Sequence, residues 1–327
     1  MSKTIKQLTN LVSVSKTKPR LVYAEGGNLY IQQAAKIVSQ YVEPILVFKK
    51  ASEIPNGIEF KCIAIDSMDL SKYANLLFEL RKAKGMTIEQ ANELVRQPNY
   101  LCPLLIKAGE ADGEICGIDY TTADTLRPAL QIVKTAPNAK LVSSLFVMEK
   151  DGDSMIFSDC AININPNSEE LASMASMACE FAIALGIEKP NCAMLSYSTI
   201  GSGSGESVDK VKKAVELFKQ DPRNADYNVY GEIQFDAAYD ERVRAKKAKG
   251  CTWNRRADVF MFPNIDAGNI GYKIAQRMGG YSAFGPMLVG LAAPVNDLSR
   301  GATVEDIIGL SLMTAAQVVL KKGYTFK

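Results

Sequence analysis

The sequence predicts an α/β protein of two domains, in which mostly parallel sheets are flanked by helices. Three observations carry this prediction. The chain has 327 residues, and the 47% that are hydrophobic suffice for two globular domains of ordinary size. Short apolar runs alternate with amphipathic segments, as they do in βαβ units. Beyond residue 139, two strand-like runs flank the turn Lys150-Asp-Gly152, which predicts a hairpin and an antiparallel edge.

The first part of the chain predicts four strands and four helices. Apolar clusters place the strands at residues 20–25, 44–48, 60–65 and 114–118. Apolar residues at helical spacing place the helices at residues 29–39, 73–84, 87–96 and 125–135. Thr122 or Asp124 is the expected N-cap of the last helix.

The second part of the chain continues the alternation after the hairpin strands at residues 140–148 and 153–158. Helices are predicted at residues 168–185, 207–220, 240–249 and 270–278, and strands at residues 191–196, 231–236, 258–262 and 286–291. A further apolar run begins at Gly290 and is expected to break at Pro294. A polar turn of Asn296, Asp297, Ser299 and Arg300 follows, and then a long helix.

Composition excludes several classes of function. The formal net charge of +2 gives no overall field that would attract nucleic acid or an anionic membrane. The chain has no histidine, which excludes Ser-His-Asp and Cys-His catalysis and every histidine metal site. Its seven cysteines form no C-x-x-C pair, so reduced thiols in a cytoplasmic protein are expected, without a metal. Neither a signal peptide nor a membrane span is expected.

Four segments share one layout, in which a strand ends, a polar loop follows and a helix begins. In open α/β sheets ligands bind at the carboxyl ends of strands, and helix N-termini attract anions. With Arg127 and Arg300 nearby in sequence, the four loops together predict an anionic ligand. They lie at residues 119–124, 196–207, 266–269 and 296–306.

Each of these segments also has a purely structural interpretation. Thr303 and Asp306 have the spacing of a capping box, and Asp297 is typical of an Asx turn. The Ser/Gly-rich loop at residues 197–205 matches neither common phosphate-binding motif and by itself favours a flexible linker. Arg81 by itself suits a solvated helix end.

Taken together, the motifs of the chain resemble those of the phosphate acetyltransferases. The resemblance extends from about residue 20 to the end, and its most specific segment is Pro294-Val-Asn-Asp-Leu-Ser-Arg-Gly301. The other matching segments lie at residues 80–90, 122–131, 195–202, 231–236, 258–264 and 271–277. Members of this family convert acetyl phosphate and CoA into acetyl-CoA and inorganic phosphate, reversibly and without a cofactor.

The resemblance also implies an architecture. It is similar to that of the isocitrate and isopropylmalate dehydrogenases, with the second α/β domain inserted in the first and the active site in the cleft between them. The expected domains are residues 1–138 plus 284–327, and residues 139–283. A homodimer is expected as well.

The resemblance assigns roles to individual residues. Ser299, Arg300 and Asp306 would carry the chemistry. Arg81, Arg127 and Arg277 would bind the charges of CoA or acetyl phosphate. The remaining substrate contacts would come from Ser198, Thr199, Gly201, Ser202 and Asn296.

Elementary chemistry agrees with these roles. A thiol with a pKa of about 8.5 is only partly ionised at neutral pH, so a base helps. Without histidine, Asp306 is the candidate base. Arg300 and Arg127 would offset the repulsion between the thiolate and the acyl phosphate, and Ser299 would orient the thiol or bridge to the phosphate. Since no cysteine occupies a motif position, direct displacement in a ternary complex is expected.

Alternatives remain open at this point. Departures from the family pattern at Gly27–Tyr30, Asp119, Val289 and Ala293 bear on the acyl group that is preferred. A butyryl- or propionyl-transferring relative is one alternative, and a non-catalytic CoA-binding protein is another. The fold alone would also allow a metal- and NAD-dependent decarboxylating dehydrogenase, although no suitable cluster of acids with a Lys-Tyr pair is evident.

Overall fold

The structure of the chain is a computed structural model, and it describes residues 2–137 and 139–323. The chain divides into two compact units. We call Met1–Gln7 with Asn138–Gly290 the inserted unit, and Leu8–Pro137 with Leu291–Lys327 the flanking unit. The first helix of the chain is α1 (Lys3–Ser13).

The flanking unit contains a five-stranded sheet. Its strands are β1 (Arg20–Tyr23), β2 (Glu43–Phe48), β3 (Lys61–Ala64), β4 (Gly113–Cys116) and β11 (Val295–Asp297), in the order β11-β4-β1-β2-β3. All neighbouring strands are parallel, so their carboxyl ends meet at one edge. The helices are α2 (Leu29–Val38), α3 (Ser71–Arg81), α4 (Ile88–Leu94), α5 (Pro98–Lys107), α6 (Thr122–Pro128) and α12 (Val304–Lys321).

The inserted unit contains a six-stranded mixed sheet. Its strands are β5 (Ser143–Lys150), β6 (Asp153–Ser158), β7 (Asn191–Leu195), β8 (Asn228–Ile233), β9 (Val259–Met261) and β10 (Ser282–Val289), in the order β10-β5-β6-β9-β7-β8. The predicted hairpin β5–β6 and its antiparallel edge are confirmed, with β10 as a third antiparallel strand. The helices are α7 (Ser168–Ala184), α8 (Glu206–Gln220), α9 (Phe235–Tyr239), α10 (Glu241–Lys247) and α11 (Ile265–Arg277).

Each unit has its own apolar core, built from strand and helix side chains. In the flanking unit, Val22 and Val47 of the sheet pack with Tyr73, Leu77 and Leu101 of the helices. In the inserted unit, aromatic side chains dominate, including Phe146, Phe157 and Phe260. Burial of this apolar surface is the main favourable contribution to folding. It also fixes the strand ends that carry the polar loops.

The division of the chain differs from the predicted domains at two places. Residues 284–290 group with the inserted unit because β10 pairs with β5 along most of its length. The first residues group there too, because the backbone amides of Lys3 and Thr4 donate to the Glu149 carboxylate at 3.0 and 2.8 Å. These partners are far apart in sequence, so no local pattern reveals them.

Several predicted elements need correction. Helix α11 begins at Ile265 and not at residue 270, because the Asn264 side chain accepts from the Ala267 amide and caps the helix directly after Pro263. Helix α6 is capped by Thr121, whose hydroxyl accepts from the Asp124 amide, so the caps predicted at Thr122 and Asp124 are wrong. Residues 235–236, predicted as strand, begin α9.

The strand before the polar turn also lies elsewhere than predicted. It follows Pro294 instead of preceding it, because the Glu114 amide donates to the Pro294 carbonyl at 3.0 Å and aligns β11 with β4. Proline is tolerated at the start of an edge strand, where its missing N–H costs nothing. Asn296 and Asp297 are therefore strand residues.

Three helices, α1, α5 and α9, are absent from the sequence prediction. The α5 sequence has Pro98 at its start and Pro103 inside it, and an internal proline normally argues against a helix. Eight of its ten residues are buried, so packing outweighs the lost hydrogen bond. Among all the helices that the structure describes, none is both long and apolar enough to cross a membrane.

Candidate active site

The turn after β11 presents Ser299 and Arg300 to solvent. The Leu298 amide donates to the Cys116 carbonyl at 2.6 Å, which extends the pairing with β4 by one residue. Ser299 then closes a short turn: its carbonyl accepts from the Ala302 amide at 2.9 Å, and its hydroxyl accepts from the Gly301 amide at 3.4 Å. Within residues 2–137 and 139–323, Arg300 forms no ion pair. Its guanidinium is therefore available to an anion.

Asp306 forms the capping box that its spacing predicts. Its Oδ2 accepts from the Thr303 amide and from the Thr303 hydroxyl, both at 2.9 Å, and that hydroxyl accepts from the Asp306 amide at 3.2 Å. Among the described residues no hydrogen bond reaches the other carboxylate oxygen, Oδ1. The side chain is exposed, so Oδ1 faces solvent or a ligand.

Arg127 and Arg81 are brought together around Tyr100. Arg127 lies in the last turn of α6, and Arg81 is the last residue of α3. Burial raises the pKa of the Tyr100 phenol, and both guanidiniums oppose this rise electrostatically. Arg81 Nε is buried and has no hydrogen-bond partner among the described residues. Arg81 therefore differs from an arginine at a helix end whose side chain is fully solvated.

Two buried carboxyl groups lie beneath these loops. Glu25, 7% exposed, accepts from the Gly117 amide at 2.8 Å and from the Asp119 amide at 3.3 Å. Asp297, 3% exposed, accepts from the Thr122 hydroxyl at 2.7 Å. Burial raises the pKa of Glu25 to about 7. Burial also raises the pKa of Asp297, although hydrogen bonds from the hydroxyls of Thr122 and Thr125 oppose this rise.

These carboxyl groups were not singled out from the sequence as partners of the loops. Glu25 directly follows the apolar run of β1, and an acid at the carboxyl end of a parallel strand is the signal that could have found it. The interpretation of Asp297 as an Asx turn is wrong, since its carboxylate bonds across to α6.

Asn296 packs against the last helix, and its predicted substrate contact stays a prediction. Its side chain is fully buried, and its amide nitrogen donates to the Thr314 hydroxyl and the Gln317 carbonyl, each at 2.8 Å. Both partners lie on α12. The bonds connect the last helix to the edge strand.

In the inserted unit, the loop at residues 197–205 is not a flexible linker. The buried Glu232 carboxylate accepts from the Ser198 hydroxyl at 3.1 Å and from the Gly201 amide at 2.7 Å. The Thr199 hydroxyl donates to Gln234 at 3.3 Å and accepts from the Gln234 amide at 2.9 Å. The polar groups of Ser198, Thr199 and Gly201 thus bond within the protein, and their contacts to phosphate stay a prediction.

Ser202 and Arg277 remain accessible in that unit. Ser202 is exposed, and its hydroxyl accepts from the Thr199 amide at 2.9 Å, which leaves its own proton for another acceptor. Arg277 is exposed at the end of α11. The remaining assigned residues, Ser299, Arg300, Asp306, Arg81 and Arg127, belong to the flanking unit. The cleft and the dehydrogenase-like architecture stay predictions.

The sequence profile of the family described as "Phosphate acetyl/butaryl transferase" matches residues 3–315. The chain belongs to this family. The resemblance found from the sequence motifs is thereby confirmed. Among its relatives is the phosphate acetyltransferase of Mycoplasma genitalium, which is 46% identical over 313 residues, or 94% of this chain and 97% of that protein.

Solved structures agree with this membership. A phosphotransacetylase from Streptococcus pyogenes superposes with a TM-score of 0.91 at 39% identity, covering 98% of this chain and 100% of that one. The EutD phosphotransacetylase from Staphylococcus aureus has a TM-score of 0.87 at 40% identity, covering 96% and 99%. The predicted α/β fold class is therefore confirmed.

Proposed function

We propose that this chain is an acyltransferase that interconverts acetyl phosphate and CoA with acetyl-CoA and inorganic phosphate. Family membership over residues 3–315 carries the proposal, together with relatives named phosphate acetyltransferase over nearly the whole chain. The geometry supports it, because exposed guanidinium, hydroxyl and carboxylate groups lie at the carboxyl ends of parallel strands. No further cofactor is part of the proposal.

The reaction is a direct displacement at the acetyl carbonyl. The CoA thiol gives its proton to Asp306, and its sulfur forms a bond to the carbonyl carbon. The bond from that carbon to the phosphate oxygen breaks, and inorganic phosphate leaves with the electron pair. Capping uses Asp306 Oδ2, so the free Oδ1 supports a role for Asp306 as the base.

Arginine side chains offset the accumulated negative charge. Arg300 and Arg127 reduce the repulsion between thiolate and acyl phosphate, and they stabilise the carbonyl oxygen as it gains charge. Ser299, directly before Arg300, orients the thiol or bridges to the phosphate. Arg81, Arg277 and the exposed Ser202 hydroxyl contribute charge and hydrogen bonds to CoA or phosphate.

A coupled assay of purified protein tests the proposal. Acetyl phosphate and CoA should give acetyl-CoA and phosphate in equal amounts. Tight CoA binding without turnover would contradict it and favour a non-catalytic CoA-binding protein.

A butyryl or propionyl preference is the second candidate. The description of the matching family covers acetyl and butyryl transfer alike, so membership alone does not choose between them. The kcat/KM values for acetyl, propionyl and butyryl phosphate decide it. We expect the value to fall as the acyl chain lengthens, and a maximum at butyryl phosphate would reverse the assignment.

We also propose that the protein acts as a homodimer in the cytoplasm. Helix α11 leaves Ile270, Ile274 and Met278 exposed by 58%, 52% and 84%, and their spacing puts them on one face. Such a stripe suits a second copy of the chain. All seven cysteines are free thiols, which supports an intracellular location. Light scattering on wild type and Ile274→Glu tests the dimer: only the variant should have the mass of a monomer.

A further inference from the structure

Two loops of the flanking unit meet at the carboxyl edge of its sheet. One runs from the end of β4 to the start of α6, the helix that carries Arg127. The other leaves β11 and carries Ser299 and Arg300. The proposed reaction needs these side chains at fixed mutual positions, because Arg127 and Arg300 act on one substrate. A contact between the two loops would set that position.

Asp297 makes such a contact. It ends β11, two residues before Ser299, and it accepts from the Thr122 hydroxyl at 2.7 Å. Thr122 is the first residue of α6, five residues before Arg127. The bond therefore joins the base of one loop to the start of the helix that carries the other arginine.

The absence of a side chain at Gly117 leaves room for the Asp297 carboxylate. Gly117 lies against it with a φ of 115°, and a Cβ at this glycine would overlap Asp297 Oδ1 and approach the Leu298 nitrogen to 2.7 Å. The Asp297 side chain is 3% exposed, and Oδ1 has no hydrogen-bond partner among the described residues. The Thr122 hydroxyl thus holds a buried carboxylate toward α6, and the Thr125 hydroxyl of the same helix also acts on it.

The bond is not part of helix capping. Thr121 supplies the N-cap of α6 through its own hydroxyl, as described above. Thr122 is exposed, and its hydroxyl could donate to water instead. Helix capping therefore does not explain the bond between Thr122 and Asp297. A structural connection between the two loops does explain it.

We propose that Asp297 is a positioning residue, which through Thr122 holds Arg127 of α6 in register with the Ser299–Arg300 turn. This inference rests on the proposed function. Asp297 itself touches no substrate and exchanges no proton. It limits the movement of Arg127 relative to the Ser299–Arg300 turn. Misplacement of a group that acts on the substrate by about 1 Å can cost on the order of a hundredfold in rate.

Substitutions at Thr122 test the proposal, because this exposed residue can change without disturbing the core. Thr122→Val removes the hydroxyl and keeps the shape, and Thr122→Ser keeps the hydroxyl. We expect kcat of the valine variant to fall by roughly tenfold or more, with the KM for CoA little changed, and the serine variant to recover most of kcat. The kcat is taken per folded protein, as measured by circular dichroism, so that a general loss of folded protein does not count as a loss of rate.

Tyr23→Phe is the matched control. It removes another buried hydroxyl bond of the same unit, from Tyr23 to Ser311 at 2.9 Å, which involves neither Thr122 nor Asp297. We expect it to lower the melting temperature and leave kcat unchanged. Asp297→Asn should lower kcat as well. Combined with Thr122→Val, it should lower kcat by much less than the product of the single effects, since both changes break one bond.

The outcomes separate this inference from the proposed function. Wild-type protein without transferase activity overturns the proposed function. Active wild type, with Thr122→Val within twofold of its kcat, overturns the positioning role alone. The same holds if the serine variant is as slow as the valine variant, or if the effects of Asp297→Asn and Thr122→Val multiply.

Discussion

Glu25→Gln should remove a pH-dependent loss of stability from the flanking unit. Burial away from water raises the pKa of Glu25 from 4.5 to about 7, although the Gly117 and Asp119 amides donate to its carboxylate. Asp119 and Asp297 add to the rise by electrostatic repulsion. Glutamine has the same shape and no charge, and its carbonyl oxygen can still accept from Gly117.

The sign and size follow from proton linkage. Between pH 4.5 and about 7 the folded protein holds a proton on Glu25 that the unfolded chain has released. The free energy of unfolding therefore falls as pH rises through this window. A difference of about 2.5 pH units at 1.36 kcal/mol per unit gives about 3 kcal/mol. Below pH 4.5 both states are protonated, and this contribution to stability is fully present.

Urea unfolding from pH 4 to pH 8.5 measures the effect. Circular dichroism is the suitable probe, because the single tryptophan, Trp253, lies in the inserted unit and Glu25 in the flanking unit. The observable is the free energy of unfolding of Glu25→Gln minus that of wild type. We expect this difference to become more positive by about 3 kcal/mol between pH 4 and pH 8. A fixed cost of burying the glutamine NH2 shifts the whole curve and leaves its slope unchanged.

Glu149→Gln is a control of opposite sign. Hydrogen bonds, including those from the Lys3 and Thr4 amides, outweigh the burial of Glu149 and lower its pKa. Its stabilising contribution is present at neutral pH and is lost as pH falls through its folded-state pKa. The free energy of unfolding of Glu149→Gln should therefore be lower than that of wild type at pH 7 and approach the wild-type value in acid. If the Glu25→Gln difference were flat from pH 4.5 to 8, or sloped like that of Glu149→Gln, the buried carboxyl would have no raised pKa.

Three further predictions concern the candidate site. Arg300→Gln should lower kcat by orders of magnitude with little change in melting temperature, and near-normal turnover in the coupled assay would reject its role. Asp306→Asn can still cap α12, so its free energy of unfolding should change by no more than about 1 kcal/mol while kcat falls strongly; unchanged kcat would leave Asp306 as a cap only. Asn296→Leu should destabilise the fold by about 1–3 kcal/mol, and a rise in KM without destabilisation would restore its substrate role.

Local patterns in the sequence were sufficient for most of the fold. Apolar runs predicted the strands of both sheets to within a few residues, because burial on both faces demands them. They failed at α5, where Pro103 gave a misleading local signal that tertiary packing outweighs. They also failed at β11, whose start depends on a bond between Pro294 and Glu114 of a distant strand.

The candidate site was predictable only in part, for a related reason. The residues near Arg300 were found because a contiguous motif carries them. The contacts that hold the candidate loops join distant parts of the chain: Thr122 and Asp297 are 175 positions apart, and Gly201 and Glu232 are 31 apart. The Ser/Gly composition of residues 197–205 suggested flexibility, because the buried carboxyl group that orders this loop comes from another strand.

At Asp306 the two interpretations of the sequence are compatible. The cap occupies Oδ2, whereas a base needs one accessible oxygen, and Oδ1 fulfils that need. The capping bonds orient the carboxylate at the start of α12, six residues after Arg300 in sequence. The capping bonds thereby fix the direction of the second oxygen, which the proposed base role of Asp306 requires.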